Sequence, residues 1–209
     1  MIIATDLEGV WIPEIWQEAA RVTGLADLGA TTHDEPDFGK LMARRVELLQ
    51  RNDIRLPVLQ RIANDILPYS GATELLAWAR TKAQVMIVSD SFHELSEGLV
   101  QRMGGYSLFA NVFKTDEEGR ILGYRLRIRG RKDNVVRSLK EIGFHIVAIG
   151  DGWNDEQMFH IANDAILFRA PDALTERVPG GHRATEYEDL RRLLREIHQR
   201  ATRGAYQPV

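Results

Sequence analysis

Short, nearly unbroken apolar runs recur along the chain at Ile2–Thr5, Val85–Val88, Ile146–Ile149 and Ala165–Phe168. Runs of this length without polar alternation predict strands buried on both faces. Between them, Ala72–Arg80, Phe92–Met103, Asp133–Ile142 and Asn154–Ala162 carry helical periodicity. Strands and helices in alternation predict an α/β fold, a parallel sheet flanked by helices. Lys114 to Ile128 predicts a hairpin, with Glu117-Glu118-Gly119-Arg120 at its turn. A last helix, Glu186–Gln199, is amphipathic through Leu190, Leu193, Leu194 and Ile197, and Ala201–Val209 is expected to fray.

One stretch breaks the alternation. From Pro13 to about Leu67 there are three helical patterns, Pro13–Thr23, Asp37–Arg51 and Leu56–Ile66, and no strand candidate. A helical insert directly after the first strand predicts a cap over a site at the sheet edge. The expected organisation is a core of residues 1–12 and 69–200, a helical cap of residues 13–68, and a frayed tail of 201–209.

Composition narrows the possible functions. Among 209 residues, 44% are apolar, enough for a sizeable core. Lys and Arg number 27 against 30 acids, a net charge of −3, which argues against a nucleic-acid surface. There is no cysteine, so disulfides, thiolate metal sites and thiol nucleophiles are excluded. No apolar stretch approaches the roughly 18 residues of a membrane helix, and no signal-peptide pattern opens the chain. A soluble, cytoplasmic protein is the expectation.

Three of the predicted strands end in a polar group: Asp6, Ser89 and Asp151. Singly, each reads as a turn or helix cap. In open parallel sheets, however, ligands bind beyond the carboxyl ends of the strands, so the three are expected to converge. Gly150-Asp151-Gly152-Trp153-Asn154-Asp155 sets two carboxylates four positions apart around a glycine-rich turn, an arrangement suited to a hard cation such as magnesium. The alternative is a capped helix start with Asp155 solvated. The histidines show no metal-ligand spacing. The tryptophans read as packing residues, with Trp11 and Trp153 as alternatives for lining the site.

In the Asp37–Arg51 helix, Phe38, Leu41, Met42, Leu48 and Leu49 share one apolar sector at 100° per residue, and Arg45 lies in its middle. A buried guanidinium needs an anion or an exit to solvent. Arg45 therefore snorkels outward, pairs with a cap carboxylate, or clamps a carboxylate of the substrate. Glu14, after Pro13, is a favourable charge at a helix start. Arg129-Gly130-Arg131-Lys132-Asp133 reads as a solvated basic cluster.

Asp6-Leu7-Glu8-Gly9-Val10, Ser89, Lys132 and Gly150-Asp151-Gly152-Trp153-Asn154-Asp155 together resemble the four ordered motifs of the haloacid dehalogenase-like phosphatases. The resemblance runs from Ile2 to about Ile197. Within that superfamily the chain is similar to phosphoserine phosphatases, above all to the subgroup described as bifunctional phosphoserine phosphatase/homoserine phosphotransferase. With that subgroup it shares Asp-Leu-Glu-Gly in the first motif, where the superfamily usually has Asp in place of Glu8. It also shares Ser89-Asp90, where ordinary phosphoserine phosphatases have Ser-Gly.

The resemblance implies a Rossmann-like core with an inserted cap, and magnesium-dependent hydrolysis through an aspartyl-phosphate on Asp6. It implies Asp6, the Glu8 carbonyl and Asp151 as metal ligands, with Asp155 supporting the metal. Ser89 and Lys132 (with Arg131 as the substitute for Lys132) would hold the phosphoryl group, and Glu8 would serve as acid and base. Glu14 and Arg45 would read the amino and carboxylate groups of phosphoserine, with Asp90 and Asn154 also at the substrate and homoserine as a second acceptor. Two other readings stay open: a phosphatase for another small phosphorylated metabolite, and a signalling receiver domain phosphorylated on Asp6 without turnover.

Overall fold

A computed structural model describes residues 1–31, 34–35, 37–128 and 132–205. Strand β1 (Ile2–Thr5) is fully buried and lies at the centre of a seven-stranded sheet. It pairs in parallel with β2 (Gln84–Phe92) on one side and with β5 (Ile146–Gly150) on the other. Outward from β2 come β3 (Ser107–Thr115), parallel, and β4 (Ile121–Arg125), antiparallel. Beyond β5 come β6 (Asp164–Phe168) and the short β7 (His182–Ala184), both parallel.

The central strands β1 and β5 are buried along their whole length because each side of the sheet meets its own packed layer. Along β5, Ile146 and Ala148 join one apolar cluster while Val147 and Ile149 join the other. The layers are closed by α4 (Ala72–Arg80), α5 (His93–Arg102), α6 (Asp133–Glu141), α7 (Glu156–Ile161), α8 (Asp172–Arg177) and α9 (Tyr187–Ala205).

Helices α1 (Ile15–Thr23), α2 (Phe38–Arg51) and α3 (Leu56–Asp65) form the insert after β1, with a single turn of 3₁₀ helix at Ala26–Gly29. Gly24 takes the left-handed conformation, φ 73°, that stops α1. The two chain crossings between core and insert are tied together, since Tyr69 N donates to Trp11 O at 2.9 Å. Beneath them Trp11, Tyr187 and Phe168 stack face to face, and Tyr187 Oη donates to Val10 O at 2.7 Å. The β3–β4 hairpin grips the insert from its far side. Leu56 N donates to Gly119 O, and Gln50 Nε2 to Ile121 O, each at 2.8 Å.

Several boundaries differ from the sequence reading. The hairpin's first strand begins at Ser107 rather than near Lys114, because it pairs with β2 and belongs to the main sheet. Strand β2 runs on to Phe92, so its helix starts at His93. The Asn154–Ala162 helix divides into a 3₁₀ turn at Trp153–Asp155 followed by α7. Helix α9 runs from Tyr187 to Ala205, past Ala201, and residues 206–209 lie outside the described part. Helix α8 and strand β7 are additional, and both are too short for periodicity to announce.

Candidate active site

The carboxyl ends of β1 and β5 bring Asp6 and Asp151 side by side, since the two strands pair in register from Ile2 to Thr5 against Ile146 to Ile149. One oxygen atom each from Asp6, Asp151 and Asp155 falls within 4.8 Å of the others. Two glycines make this convergence possible. A Cβ on Gly9 would stand 1.9 Å from Asp151 Oδ2, and one on Gly150 would stand 2.2 Å from Asp155 Oδ2. Gly9 also has φ +74°, so the turn after Asp6 suits glycine on both counts.

Asp6 and Asp155 are anchored on both oxygens. Asp6 Oδ1 accepts the Leu7 N–H at 2.7 Å, leaving Oδ2 against Lys132 Nζ at 2.6 Å. Asp155 Oδ2 accepts the N–H groups of Asp151 and Gly152 at 3.0 and 3.2 Å, and its Oδ1 meets Lys132 Nζ at 2.7 Å. Lys132 is 0% exposed, which corrects the reading of its cluster as solvated surface for this residue. Arg131, its substitute, lies outside the described residues.

One lysine does not balance three acids. Burial, with Lys132 opposing and Asp155 reinforcing, lifts the Asp6 pKa to about 7. Burial and then the neighbouring Asp6 charge lift Asp151 to about 7 as well. Asp155 is also raised, by burial against the pull of Lys132. The pocket is therefore short of positive charge.

Ser89 is buried at an irregularity of β2. Between Val88 and Phe92 the strand advances four positions while β3 advances only two, from Phe109 to Asn111. Such a bulge turns its residues out of the ladder. Ser89 Oγ accepts the Ser91 N–H at 3.1 Å, and Asp90 Oδ2 accepts from Asn154 Nδ2 at 3.1 Å.

Glu8 Oε1 accepts the N–H of Ile15, the first residue of α1, at 2.7 Å. Burial and then Glu14 raise its pKa to about 8, well above the ordinary carboxylate range. Arg45 is 6% exposed and does not snorkel. Its Nε and Nη2 donate to the carbonyls of Leu28 and Ala30 at 3.1 and 2.7 Å, and its guanidinium lies 4.4 Å over the Trp16 ring. Burial lowers its pKa to about 10, with Glu8 and Glu14 pulling the other way. Glu14 is open to the cleft but has protein on most sides. That surround and Asp6 raise its pKa, while Arg45 and Lys132 lower it. Glu14 therefore feels charges of both the insert and the core.

The profile of the family described as "Hydrolase: haloacid dehalogenase-like hydrolase" matches residues 2–163. The chain belongs to the haloacid dehalogenase-like hydrolases. It is 37% identical over 191 residues to phosphoserine phosphatase ThrH of Pseudomonas aeruginosa, covering 91% of this chain and 93% of that one. It is 36% identical over 191 residues to a phosphoserine phosphatase of Pseudomonas syringae pv. tomato, covering 91% and 81%. Among solved structures it resembles the phosphoserine phosphatase from T. onnurineus, with TM-score 0.69, 25% identity and coverage of 92% and 93%. It also resembles a phospho-aspartyl intermediate analogue of phosphoserine phosphatase, with TM-score 0.76, 24% identity and coverage of 93% and 97%, a likeness of fold.

In this haloacid dehalogenase-like hydrolase the tryptophans divide. Trp11 and Trp16 are buried, as packing residues should be, whereas Trp153 is 42% exposed beside Asp151. Two residues near the site went unnoticed in the sequence. Tyr69, at the second crossing, has its pKa raised by burial and then by Asp151 and Glu14. Asn111, wholly buried, bonds the Asp90 carbonyl. Its signal was available: an amide inside Leu108-Phe109-Ala110-Asn111-Val112-Phe113 is out of place in a strand. Among the described residues no helix is long and apolar enough to cross a membrane.

Proposed function

We propose that this protein is a magnesium-dependent phosphoserine phosphatase working through an aspartyl-phosphate on Asp6, with the helical insert as its cap. The observation that carries the reading is the set Asp6, Asp151 and Asp155, two buried and one half-buried, with Lys132 paired to Asp6 and Asp155. The names of the relatives and the placement of Glu14 and Arg45 support phosphoserine in particular.

The donor set fits magnesium: all its side-chain ligands are carboxylate oxygens, and they lie within 4.8 Å of one another. Asp6, Asp151 and the backbone carbonyl of Glu8 would hold the ion, with Asp155 behind them. When bound, magnesium neutralises charge on the phosphoryl oxygens and lets an anionic nucleophile approach.

Asp6, held by the Leu7 N–H, attacks phosphorus in line; its O–P bond forms as the bond to the serine oxygen breaks. Ser89 and Lys132 hold the phosphoryl oxygens. Glu8 gives a proton to the departing serine oxygen; it then takes one from the water that attacks phosphorus as the O–P bond to Asp6 breaks. Arg45 and Glu14 receive the carboxylate and ammonium groups of the substrate. The test is a magnesium-dependent screen over phosphorylated amino acids and sugars. Phosphoserine should give the highest kcat/KM; a sugar phosphate ahead of it would overturn the assignment.

Homoserine is the second acceptor in this proposal. Asp6-Leu7-Glu8-Gly9 and Ser89-Asp90 support it, as does its size, since one extra methylene is worth only about 1–3 kcal/mol. An alcohol bound in line has a large effective-concentration advantage over water. Phosphorus NMR of a reaction with phosphoserine and excess homoserine should show phosphohomoserine. Inorganic phosphate alone, at an unchanged rate, would exclude transfer.

A further inference from the structure

We infer that Asn111 is the positioning residue that fixes Ser89 and Lys132 relative to Asp6. The inference rests on the reading of Ser89 and Lys132 as the groups that hold the phosphoryl oxygens. Those two residues come from separate segments. Ser89 lies at the β2 bulge, where the ladder to β3 is interrupted between Val88 and Phe92. Lys132 opens α6, its carbonyl accepting the N–H groups of Val135 and Val136 at 3.2 and 3.4 Å. It follows β4 after a stretch that has left the sheet at Arg125. A backbone freed from its ladder must find other hydrogen-bond partners when buried.

Asn111 supplies them to both segments. It sits opposite Phe92 in the register, where pairing resumes. Its Nδ2 donates to the Asp90 carbonyl at 2.8 Å, within the bulge. Its Oδ1 accepts the N–H of Arg127 at 3.1 Å and that of Ile128 at 3.5 Å, on the segment leading to Lys132. The orientation of the amide follows from these partners, since a carbonyl needs a donor and two N–H groups need an acceptor. Asn111 is 1% exposed, so water cannot readily take its place.

The three bonds make one short side chain a splint between the bulge carrying Ser89 and the approach to Lys132. Asparagine combines donor and acceptor at the length required; aspartate keeps the acceptor and loses the donor. Asp6, Asp151 and Asp155 take no bond from Asn111, so metal binding should not depend on it.

The experiment uses the full chain with magnesium, an aryl phosphate as substrate and inorganic phosphate as the binding probe, so that it does not depend on phosphoserine. Asn111→Ala should lower kcat about a hundredfold, the cost of a small misplacement of holding groups. It should also weaken phosphate binding while leaving the half-saturating magnesium concentration unchanged. Asn111→Asp should fall between Asn111→Ala and wild type. In a Ser89→Ala background the Asn111→Ala loss should shrink, because residues acting through one another are not additive. Should Asn111→Ala fail to melt cooperatively, Asn111→Asp decides alone. Wild-type kcat and phosphate affinity in the folded variant, or losses that multiply fully with Ser89→Ala, would overturn the inference. Unchanged phosphate affinity in Ser89→Ala would instead overturn the phosphate-holding reading on which it rests.

Discussion

The core and the insert bury charge in opposite ways. In the core, three carboxylates lie together, two of them paired with one fully buried lysine, and the pKa values of Asp6 and Asp151 rise through burial first and the neighbouring carboxylate charges second. In the insert, Arg45 is surrounded by neutral partners, two carbonyls and an aromatic face, with Glu8 and Glu14 at longer range. The core cluster is incomplete without a cation, whereas the arginine is largely satisfied on its own. The difference matches the division of labour in the proposed function, with chemistry and metal assigned to the core and substrate reading to the insert.

If so, damage to the core should be drastic and indifferent to substrate. Asp6→Asn should abolish turnover while leaving the fold intact, because the amide is isosteric but a poor nucleophile. Melting and activity of the same preparation check this, and residual turnover in reversion-free protein would contradict it. Gly9→Ala should come next, since its Cβ would stand 1.9 Å from Asp151 Oδ2. Activity and magnesium affinity should fall together; near-normal values would show that Asp151 can move without cost.

Damage to the cap should be smaller and selective. Arg45→Ala should raise KM for phosphoserine by roughly thirty- to a hundredfold, about 2–3 kcal/mol for a charge-assisted contact. An aryl phosphate without a carboxylate should be affected far less. Equal losses on both substrates would mean that Arg45 only braces the Leu28–Ala30 loop.

The smallest expected effect is on stability. Asp6, Asp151 and Glu8 have folded pKa values of about 7, 7 and 8, above the ordinary carboxylate values of 3.8, 3.8 and 4.5. The folded state therefore holds more protons than the unfolded one between those limits. The contribution is fully present below the ordinary values and is lost as pH rises through 7 and 8. Metal-free protein should melt at lower temperature at pH 8 than at pH 5, and magnesium should narrow that difference. A melting temperature that is flat or rising with pH, without metal, would contradict the charge-deficient picture.

What the sequence makes legible follows the same division. Unbroken apolar strands flanked by helices fix where Asp6 and Asp151 lie, because strand ends are set by local pattern and the chemistry stands at those ends. The burial of Arg45 was legible too, as a charge in the middle of an apolar helical sector. Its partners were not: the Leu28 and Ala30 carbonyls border a 3₁₀ turn too short to show periodicity. The bulge at Ser89 is a property of two strands in register, and neither strand reveals it alone. Lys132 was picked out by the resemblance, while its neighbouring charges alone read as solvated surface; its burial against two acids is visible only in the packed structure.

The central claim is that Asp6 carries the phosphoryl group. Protein mixed with radiolabelled phosphoserine and magnesium, quenched in acid within one turnover and digested, tests it directly. The account predicts label on the peptide containing Asp6, absent from Asp6→Asn and lost on treatment with hydroxylamine. Steady release of phosphate with no label on that peptide at any quench time would contradict it.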